Sequence, residues 1–347
     1  MSSPEIAWFG ALCDDDFEQL GVPDADLASS WTHCSALVET VERCGFDNVL
    51  LPSGYALGID TIAFASAIAP RINRMRLLVA VRCGEVWVPQ LARQLATLHQ
   101  ILDGRLTVNI ISSEMPGESL DGPARYARTN ETMRALRTLL RGQRLDLDGD
   151  HLSIHVDPPR ITAQFPVEPQ FYFGGLSEEA RDVAAAEADV YLMWPDTMDN
   201  VAAIIDDMRG RAASNGRSIR FGYRVHAIVR DTEDEARAAA THLVARVDDA
   251  RGQAIRSRSL DSESTGVRRQ AQLRTAADDD GFVEENLWTG IGRARSGCGA
   301  AIVGTPRQVA DKIQRYRALG IDAFIFSGYP HMGEAERFAR TVLPLLR

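Results

Sequence analysis

Two cationic side chains, Arg224 and His226, lie two residues apart in residues 218–230 (SIRFGYRVHAIVR), a stretch rich in apolar side chains. Residues at this spacing project to the same face of a strand, so Arg224 and His226 are expected to share one face of a buried strand. An unpaired buried charge is costly, so the pair requires a ligand, an anion or a partner carboxylate. The stretch therefore predicts either an anion-binding site or a structural ion pair at a strand end.

Polar and aromatic side chains also accompany the other apolar runs of the chain. With Arg224 and His226, their charges, rings and hydroxyl groups suit a flat aromatic cofactor that carries a phosphate tail. Structural alternatives are wall packing for Trp194, strand bracing for Asn109 and a hydrogen-bonded core phenol for Tyr329. Neither metal-ligand spacing nor a G-x-S-x-G motif is present, so no metal site and no hydrolase are expected. The residues concerned are Cys13, Ser53, Arg82, Asn109, Ser112, Ser177, Trp194, Tyr329 and His331.

Eight apolar runs alternate with helical patterns along almost the whole chain. This alternation predicts an α/β fold, a (β/α)8 TIM barrel formed by one domain over residues 1–347, with insertions after strands 4 and 7. The site would lie at the C-terminal ends of the strands. Two doubly wound halves are the alternative, but no G-x-G-x-x-G motif opens the first helix. The runs cover residues 6–12, 48–51, 76–81, 106–111, 170–173, 190–193, 219–229 and 323–327.

Two segments interrupt this pattern. Residues 248–280 carry few apolar side chains and are too long for a simple connection, which favours a mobile lid or a helical excursion. Residues 293–299 (RARSGCG) are glycine-rich and are expected to form a mobile loop.

Composition limits the possible partners. The 347 residues are 45% hydrophobic and 25% charged, which is ordinary for a soluble globular protein. The formal charge of −10 argues against a nucleic-acid partner. Five scattered cysteines without a CxxC pair fit a reducing cytoplasm. We expect neither a signal peptide nor a membrane span, because no apolar stretch approaches ~18 residues.

Longer motifs resemble the bacterial-luciferase-like flavin-dependent monooxygenase superfamily. They are ARQLATLHQILDGRLTVNIIS, ARYARTNE and FYFGGLSEEARDVAAAEADVYLMWP. Three further motifs are similar to its alkanesulfonate monooxygenase branch: FGYRVHAIVRDTEDEA, ENLWTGIGRARSGCGAAIVGTPRQVADKI and LGIDAFIFSGYPH. The resemblance covers nearly the entire chain.

The resemblance implies a two-component monooxygenase acting on a small organic molecule. Reduced FMN (FMNH2) would come from a separate NAD(P)H-dependent FMN reductase and react with O2 to give a flavin (hydro)peroxide. The expected substrate is a sulfonate or related organosulfur compound, whose carbon–sulfur bond breaks to leave sulfite and an aldehyde. A homo-oligomer, dimer or tetramer, is also expected.

The resemblance further implies roles for individual residues. Arg224 corresponds to an arginine that stabilises an anionic peroxide or sulfonate, and Arg295 to the arginine of a closing loop. His226, Trp194 and Tyr329 complete the expected catalytic set. Phosphate would sit at the N-terminus of the helix that Ser177 caps. The residues expected to bind the flavin are Ser53, Asn109, Arg125, Tyr126, Gly174, Gly175 and Ser177.

Two positions depart from the sulfonate branch. Cys13 stands where the branch has a histidine, and Leu57 stands where it has a cysteine. These changes predict a more apolar pocket near strand 2 and leave other substrates open, such as an N-heterocycle. A deazaflavin-dependent hydride transfer and non-catalytic flavin binding are further alternatives. The joint presence of the polar residues assigned to catalysis argues against the last.

Overall fold

Parallel strands form the centre of the molecule, which a computed structural model describes over residues 3–256 and 264–347. Strands of the barrel are buried on both faces, which is why they read as nearly continuous apolar runs. The strands are β1 (Glu5–Phe9), β2 (Asn48–Leu51), β3 (Arg76–Arg82), β4 (Leu106–Ile111), β5 (Leu145–Asp148), β6 (Ser153–Val156), β7 (Gln170–Phe173), β8 (Val190–Met193), β9 (Arg220–Val229), β10 (Phe282–Glu284), β11 (Leu287–Trp288), β12 (Ala301–Gly304) and β13 (Ala323–Ser327).

Eight of these strands close into a barrel. Their order is β9-β13-β1-β2-β3-β4-β7-β8, and β8 pairs back onto β9. The predicted (β/α)8 barrel is therefore confirmed, and each predicted run overlaps one barrel strand. The first run is shorter than predicted, because β1 ends at Phe9 and Gly10 already turns towards β2, donating to the Leu50 carbonyl oxygen at 2.7 Å.

Strand β9 is long enough to serve two sheets. Its first residues pair with β8, whereas the half from His226 to Val229 pairs in parallel with β12. The insertion between β9 and β13 thus adds β10, β11 and β12 as an extension of the barrel sheet. The apolar run 300–303 forms most of β12, and the residues directly before it, 293–299, lie at the mouth of the barrel.

Helices surround the barrel and bury their apolar faces against the outer faces of the strands. Local signals define several ends: Asp60 caps α2, and Thr305 with Gln308 forms a capping box at the start of α11. The helices are α1 (Trp31–Arg43), α2 (Thr61–Ile68), α3 (Val88–Ile101), α4 (Gly122–Leu140), α5 (Arg160–Gln164), α6 (Glu178–Glu187), α7 (Met198–Ser214), α8 (Glu233–Leu243), α9 (Asp249–Arg256), α10 (Thr265–Ala276), α11 (Pro306–Leu319), α12 (His331–Thr341) and α13 (Leu343–Leu346).

The two predicted insertions have regular structure. The first contains a hairpin, in which β5 and β6 pair antiparallel. In the segment 248–280, α9 and α10 form the helical excursion, while residues 257–263 lie outside the described residues. Mobility of this segment and of residues 293–299 stays a prediction. Within the described chain, no helix combines the length and apolarity needed to cross a membrane.

Candidate active site

A cavity of about 760 Å³ lies at the C-terminal ends of the barrel strands. Cavities of this size accommodate cofactors and small substrates. Its walls include residues 10–30, here called the N-terminal loop, and residues 293–299, here called the closing loop. The predicted site residues that line the cavity are Ser53, Asn109, Arg125, Tyr126, Gly174, Gly175, Trp194, Arg224 and Arg295. The remaining three, His226, Tyr329 and Ser177, are not among the residues that line it.

Arg224 brings a buried positive charge to the cavity. It is 3% exposed, and its Nη1 donates to the Val225 carbonyl oxygen at 3.2 Å. Its guanidinium carbon lies 4.4 Å from the centroid of the Phe9 ring. Among the described residues its Nη2 has no hydrogen-bond partner and no carboxylate forms an ion pair with it. Burial lowers the pKa of Arg224, yet arginine keeps its proton at neutral pH. The geometry therefore favours the anion-binding alternative over the structural ion pair.

His226 lies in a second layer behind Arg224. Its Nδ1 lies 2.7 Å from the Ser327 hydroxyl, and its Nε2 lies 3.2 Å from the Cys298 carbonyl oxygen. A carbonyl can only accept, so Nε2 carries the proton and Nδ1 accepts from the hydroxyl. Burial, reinforced by the charge of Arg224, holds the pKa of His226 well below its ordinary value. The neutral ring stacks on Tyr329 with centroids 5.3 Å apart.

Arg295, Tyr329 and Asp15 form a cluster that joins the closing loop to the N-terminal loop. Arg295 forms an ion pair with Asp15 and donates to the Tyr329 hydroxyl oxygen at 2.7 Å. The Tyr329 hydroxyl in turn donates to Asp15 at 3.0 Å. Burial alone would lower the pKa of Arg295, but Asp15 and Tyr329 raise it, so the guanidinium is charged. Sequence reasoning missed Asp15, whose one signal is a run of three aspartates directly after the first apolar run.

Asp16, the residue after Asp15, anchors the N-terminal loop to the start of α12 and to α1. Its carboxylate accepts from the His331 backbone N–H at 2.9 Å and lies 2.9 Å from the Nε2 of His33. His331 is itself buried, with its ring stacked on Phe9 at 5.7 Å. His331 was singled out after strand 8, and its position is structural support rather than cavity lining.

On another side of the cavity, α4 and the turn after β7 leave space for a ligand to approach closely. Arg125 pairs with Glu114 at 3.1 Å, and its buried Nε has no partner among the described residues. Gly174 lies against β8, where an added Cβ would come within 1.9 Å of the Leu192 carbonyl oxygen. No other residue fits there without moving the strand end, so the turn after β7 stays tight beside the cavity.

The N-terminus of α6 adjoins the same side. The Ser177 hydroxyl accepts from the Ala180 backbone N–H at 3.3 Å, which makes Ser177 the N-cap that its position predicts. Leu176 and Gly175 line the cavity beside it. An added Cβ at Gly175 would lie 3.5 Å from the Tyr126 hydroxyl oxygen, so this aromatic residue is close to the helix start. A helix N-terminus beside an arginine and a phenol favours a phosphate group.

Trp194 packs between two glycine-containing segments, the start of α10 and the closing loop. An added Cβ at Gly266 would lie 2.9 Å from the indole, and one at Gly297 would lie 3.2 Å from it. Both glycines line the cavity beside the indole. Trp194 is thus a wall residue that also contacts both α10 and the closing loop.

Cys13 and Arg82 lie in the wall nearest β1, β2 and β3. Burial, reinforced by Asp15 and opposed by Arg295, raises the pKa of Cys13 to about 12. The thiol is therefore neutral at physiological pH. Arg82 was noted after the third apolar run, and it is the second buried arginine of the cavity at 5% exposure.

A cavity at the C-terminal ends of the strands is where (β/α)8 barrel enzymes have their active sites, and buried guanidinium groups in its wall favour an anionic ligand. The chain belongs to the luciferase-like monooxygenase family, whose model matches residues 16–323. It is 61% identical to a sulfoquinovose monooxygenase of Novosphingobium aromaticivorans, over 98% of this chain and 96% of that protein. It is 48% identical to a sulfoquinovose monooxygenase of Agrobacterium fabrum, over 100% of this chain and 91% of that protein.

The fold recurs in solved structures. A riboflavin lyase crystallised with modified FMN and riboflavin superposes with a TM-score of 0.80 at 16% identity, covering 100% of this chain and 92% of that one. These comparisons confirm the predicted superfamily, the barrel fold and the monooxygenase class of enzyme.

Proposed function

We propose that this protein uses reduced FMN and O2 to cleave the carbon–sulfur bond of a sulfonated sugar of the sulfoquinovose type. The observation that carries the proposal is the buried Arg224 guanidinium, which faces the cavity with an unsatisfied Nη2. A buried cation of this kind requires an anion. Both relatives are named for a sulfonated hexose, which supplies one.

The residues around the cavity fit a flavin. Arg125, Tyr126 and the N-terminus of α6 offer donors for its phosphate, and the tight turn at Gly174 lets the ring approach the backbone. When bound, reduced FMN would supply the two electrons needed to activate O2. We infer that a separate NAD(P)H-dependent reductase delivers it, as the family resemblance implies.

The overall reaction balances with these reactants. The sulfonate R–CH2–SO3⁻, O2 and FMNH2 give R–CHO, SO3²⁻, H2O, FMN and one proton. One oxygen atom enters the substrate carbon, the other becomes water, and the carbon–sulfur bond breaks as sulfite leaves.

Arg224 and Arg295 would act on the negative charge of this reaction. Fixed guanidinium groups in a site shielded from water stabilise an anion more strongly than mobile water does. The neutral His226 holds Tyr329 by stacking, and Tyr329 holds Arg295. The closing loop covers the same side of the cavity and would keep water from the reacting atoms.

The test is sulfite release from sulfoquinovose. Purified protein would be mixed with FMN, NADH, a flavin reductase and the sugar, in air and without oxygen. We expect one sulfite per substrate, dependent on both O2 and reductase. Absence of sulfite from sulfoquinovose, with reduced FMN bound, would contradict the assigned substrate.

A further inference from the structure

Arg82 faces Arg224 across the mouth of the barrel. It is the last residue of β3, and β3 lies four strands away from β9 in the closed order β9-β13-β1-β2-β3. In an eight-stranded barrel this separation places two strands diametrically opposite. Ala80, two residues before Arg82, also lines the cavity, as the alternation of a strand requires. The cavity therefore has a guanidinium on each of two opposing walls.

Contacts on two sides hold the Arg82 guanidinium in place. Its Nε donates to Glu85 at 3.1 Å, and its Nη2 donates to the Ser53 carbonyl oxygen at 3.3 Å. In the described part of the chain, no hydrogen-bond partner meets its Nη1. The group is thus fixed before any ligand arrives, with donor capacity left on the side of the cavity.

The charge around Arg82 differs from that around Arg224. Glu85 offsets the charge of Arg82, whereas no carboxylate forms an ion pair with Arg224 in the described chain. A paired guanidinium attracts a second anion less than an unpaired one does, but it still donates hydrogen bonds to neutral oxygen atoms. The Arg82 side of the cavity is therefore suited to hydroxyl groups rather than to a sulfonate.

The wall beside Arg82 leaves room for such groups. Cys13 lines the cavity together with Arg82 and Arg295, and its thiol is neutral, so it adds no charge to this wall. Asp14, the neighbouring acid, is already engaged by backbone N–H groups of Ser29 and Gly58. Arg82 is then the charged donor of this wall that stays available to a substrate.

We propose that Arg82 is a specificity-determining residue, which donates hydrogen bonds to hydroxyl groups at the end of the substrate remote from the sulfonate. The inference rests on the proposed function and deepens it. The sulfonate lies towards Arg224, and a polyhydroxylated carbon chain extends towards Arg82. An alkanesulfonate lacks the oxygen atoms that Arg82 needs, so binding it leaves a buried donor unsatisfied. The site therefore selects sulfonated polyols over alkanesulfonates.

The test compares two sulfonates on the same variants. Sulfite release from sulfoquinovose and from 1-hexanesulfonate would be measured for wild type, Arg82→Met and Arg82→Lys. We expect Arg82→Met to lower kcat/KM for sulfoquinovose roughly 100-fold, mainly through KM, and to change that for 1-hexanesulfonate less than about twofold. Arg82→Lys restores part of the loss, since an ammonium group also donates to hydroxyls.

Arg128→Met is the matched control. Arg128 is a comparably buried arginine paired with a glutamate, Glu118, at 2.7 Å, but it does not line the cavity. The Arg128→Met variant is expected to leave the ratio of kcat/KM for sulfoquinovose to kcat/KM for 1-hexanesulfonate unchanged. Thermal melting and anaerobic titration with reduced FMN show whether each variant is folded and binds flavin.

The outcomes separate this inference from the function it rests on. If Arg82→Met lowers kcat/KM equally for both sulfonates, or lowers it for neither, the proposed role of Arg82 is overturned. Wild-type protein that releases sulfite from 1-hexanesulfonate but not from sulfoquinovose overturns the sugar substrate and the inference together. A selective loss in folded, flavin-binding Arg82→Met supports the inference.

Discussion

The Arg295 guanidinium donates a 2.7 Å hydrogen bond to the hydroxyl oxygen of Tyr329, and thereby joins the closing loop to the end of β13. The two residues are 34 positions apart, and both contact Asp15 from the N-terminal loop. Three chain segments therefore meet at one half-buried charge pair. We expect closure of the cavity to depend on this junction.

Asp15→Asn tests the junction. The substitution keeps an oxygen acceptor but removes the negative charge, so Arg295 loses its ion pair. We expect the free energy of unfolding to fall by about 1.5–3 kcal/mol and sulfite release to fall with it. Amide hydrogen exchange of residues 293–299 should become faster. Asp26→Asn, at an exposed position of the same loop, is the control, and unchanged exchange in the closing loop of Asp15→Asn would contradict the assigned role.

Arg224→Met tests the buried anion site by two opposite effects. The guanidinium is buried without a paired carboxylate, so its removal should raise the free energy of unfolding by roughly 1–3 kcal/mol. Sulfite release should fall by about 10³-fold or more, because the anion loses its fixed positive charge. Chemical denaturation and initial rates measure the two quantities. A destabilised variant with near-normal turnover would show that Arg224 is structural.

The buried histidine predicts a pH dependence of stability. The pKa of folded His226 lies well below the unfolded value of about 6.5, because the charged form is disfavoured by burial and by Arg224. Between these two pKa values the unfolded chain binds more protons, so the free energy of unfolding decreases as pH falls below about 6.5. One such group contributes a slope of up to about 1.4 kcal/mol per pH unit.

His226→Asn should reduce that slope, while the equivalent change at His151 should not. His151 lies at the turn of the β5–β6 hairpin, away from the barrel mouth. Urea denaturation at several pH values between about 5 and 8 measures the slope. Equal slopes for wild type and His226→Asn would contradict a neutral buried imidazole.

Gly174→Ala tests the tight turn beside the expected flavin ring. The added methyl group would collide with the Leu192 carbonyl oxygen, so β7 and β8 must separate. We expect a loss of about 1–3 kcal/mol in stability and weaker binding of reduced FMN. Gly122→Ala is the matched control, because open space surrounds its Cβ position. Equal flavin affinity in both variants would show that this turn does not shape the site.

Much of the barrel could be predicted because its strands repeat one local pattern. Each parallel strand is a short apolar run, and each is followed by a helix whose cap is visible in the sequence, such as Thr305 with Gln308. Trp194 follows the end of β8, and Asn109 and Arg224 lie within β4 and β9, and all three line the cavity. These inferences need only the period of a strand and the geometry of a barrel.

The parts that escaped prediction depend on long-range pairing. Asp15 and Arg295 are 280 residues apart, and nothing local indicates that they form an ion pair. His226 shares the strand face predicted from its spacing to Arg224, yet β12 and the closing loop cover it. The burial of His226 depends on how the insertion between β9 and β13 packs onto the barrel, and the periodicity of a strand does not indicate this.

The most direct test of the proposed chemistry is oxygen labelling. Sulfoquinovose would be turned over under ¹⁸O2 with the aldehyde trapped by reduction in place, and product and sulfite would be analysed by mass spectrometry. We predict one ¹⁸O atom in the trapped product, none in the three oxygen atoms that sulfite retains from the sulfonate, and no reaction without O2. Unlabelled product formed at the same rate without O2 would contradict a monooxygenase acting on the carbon–sulfur bond.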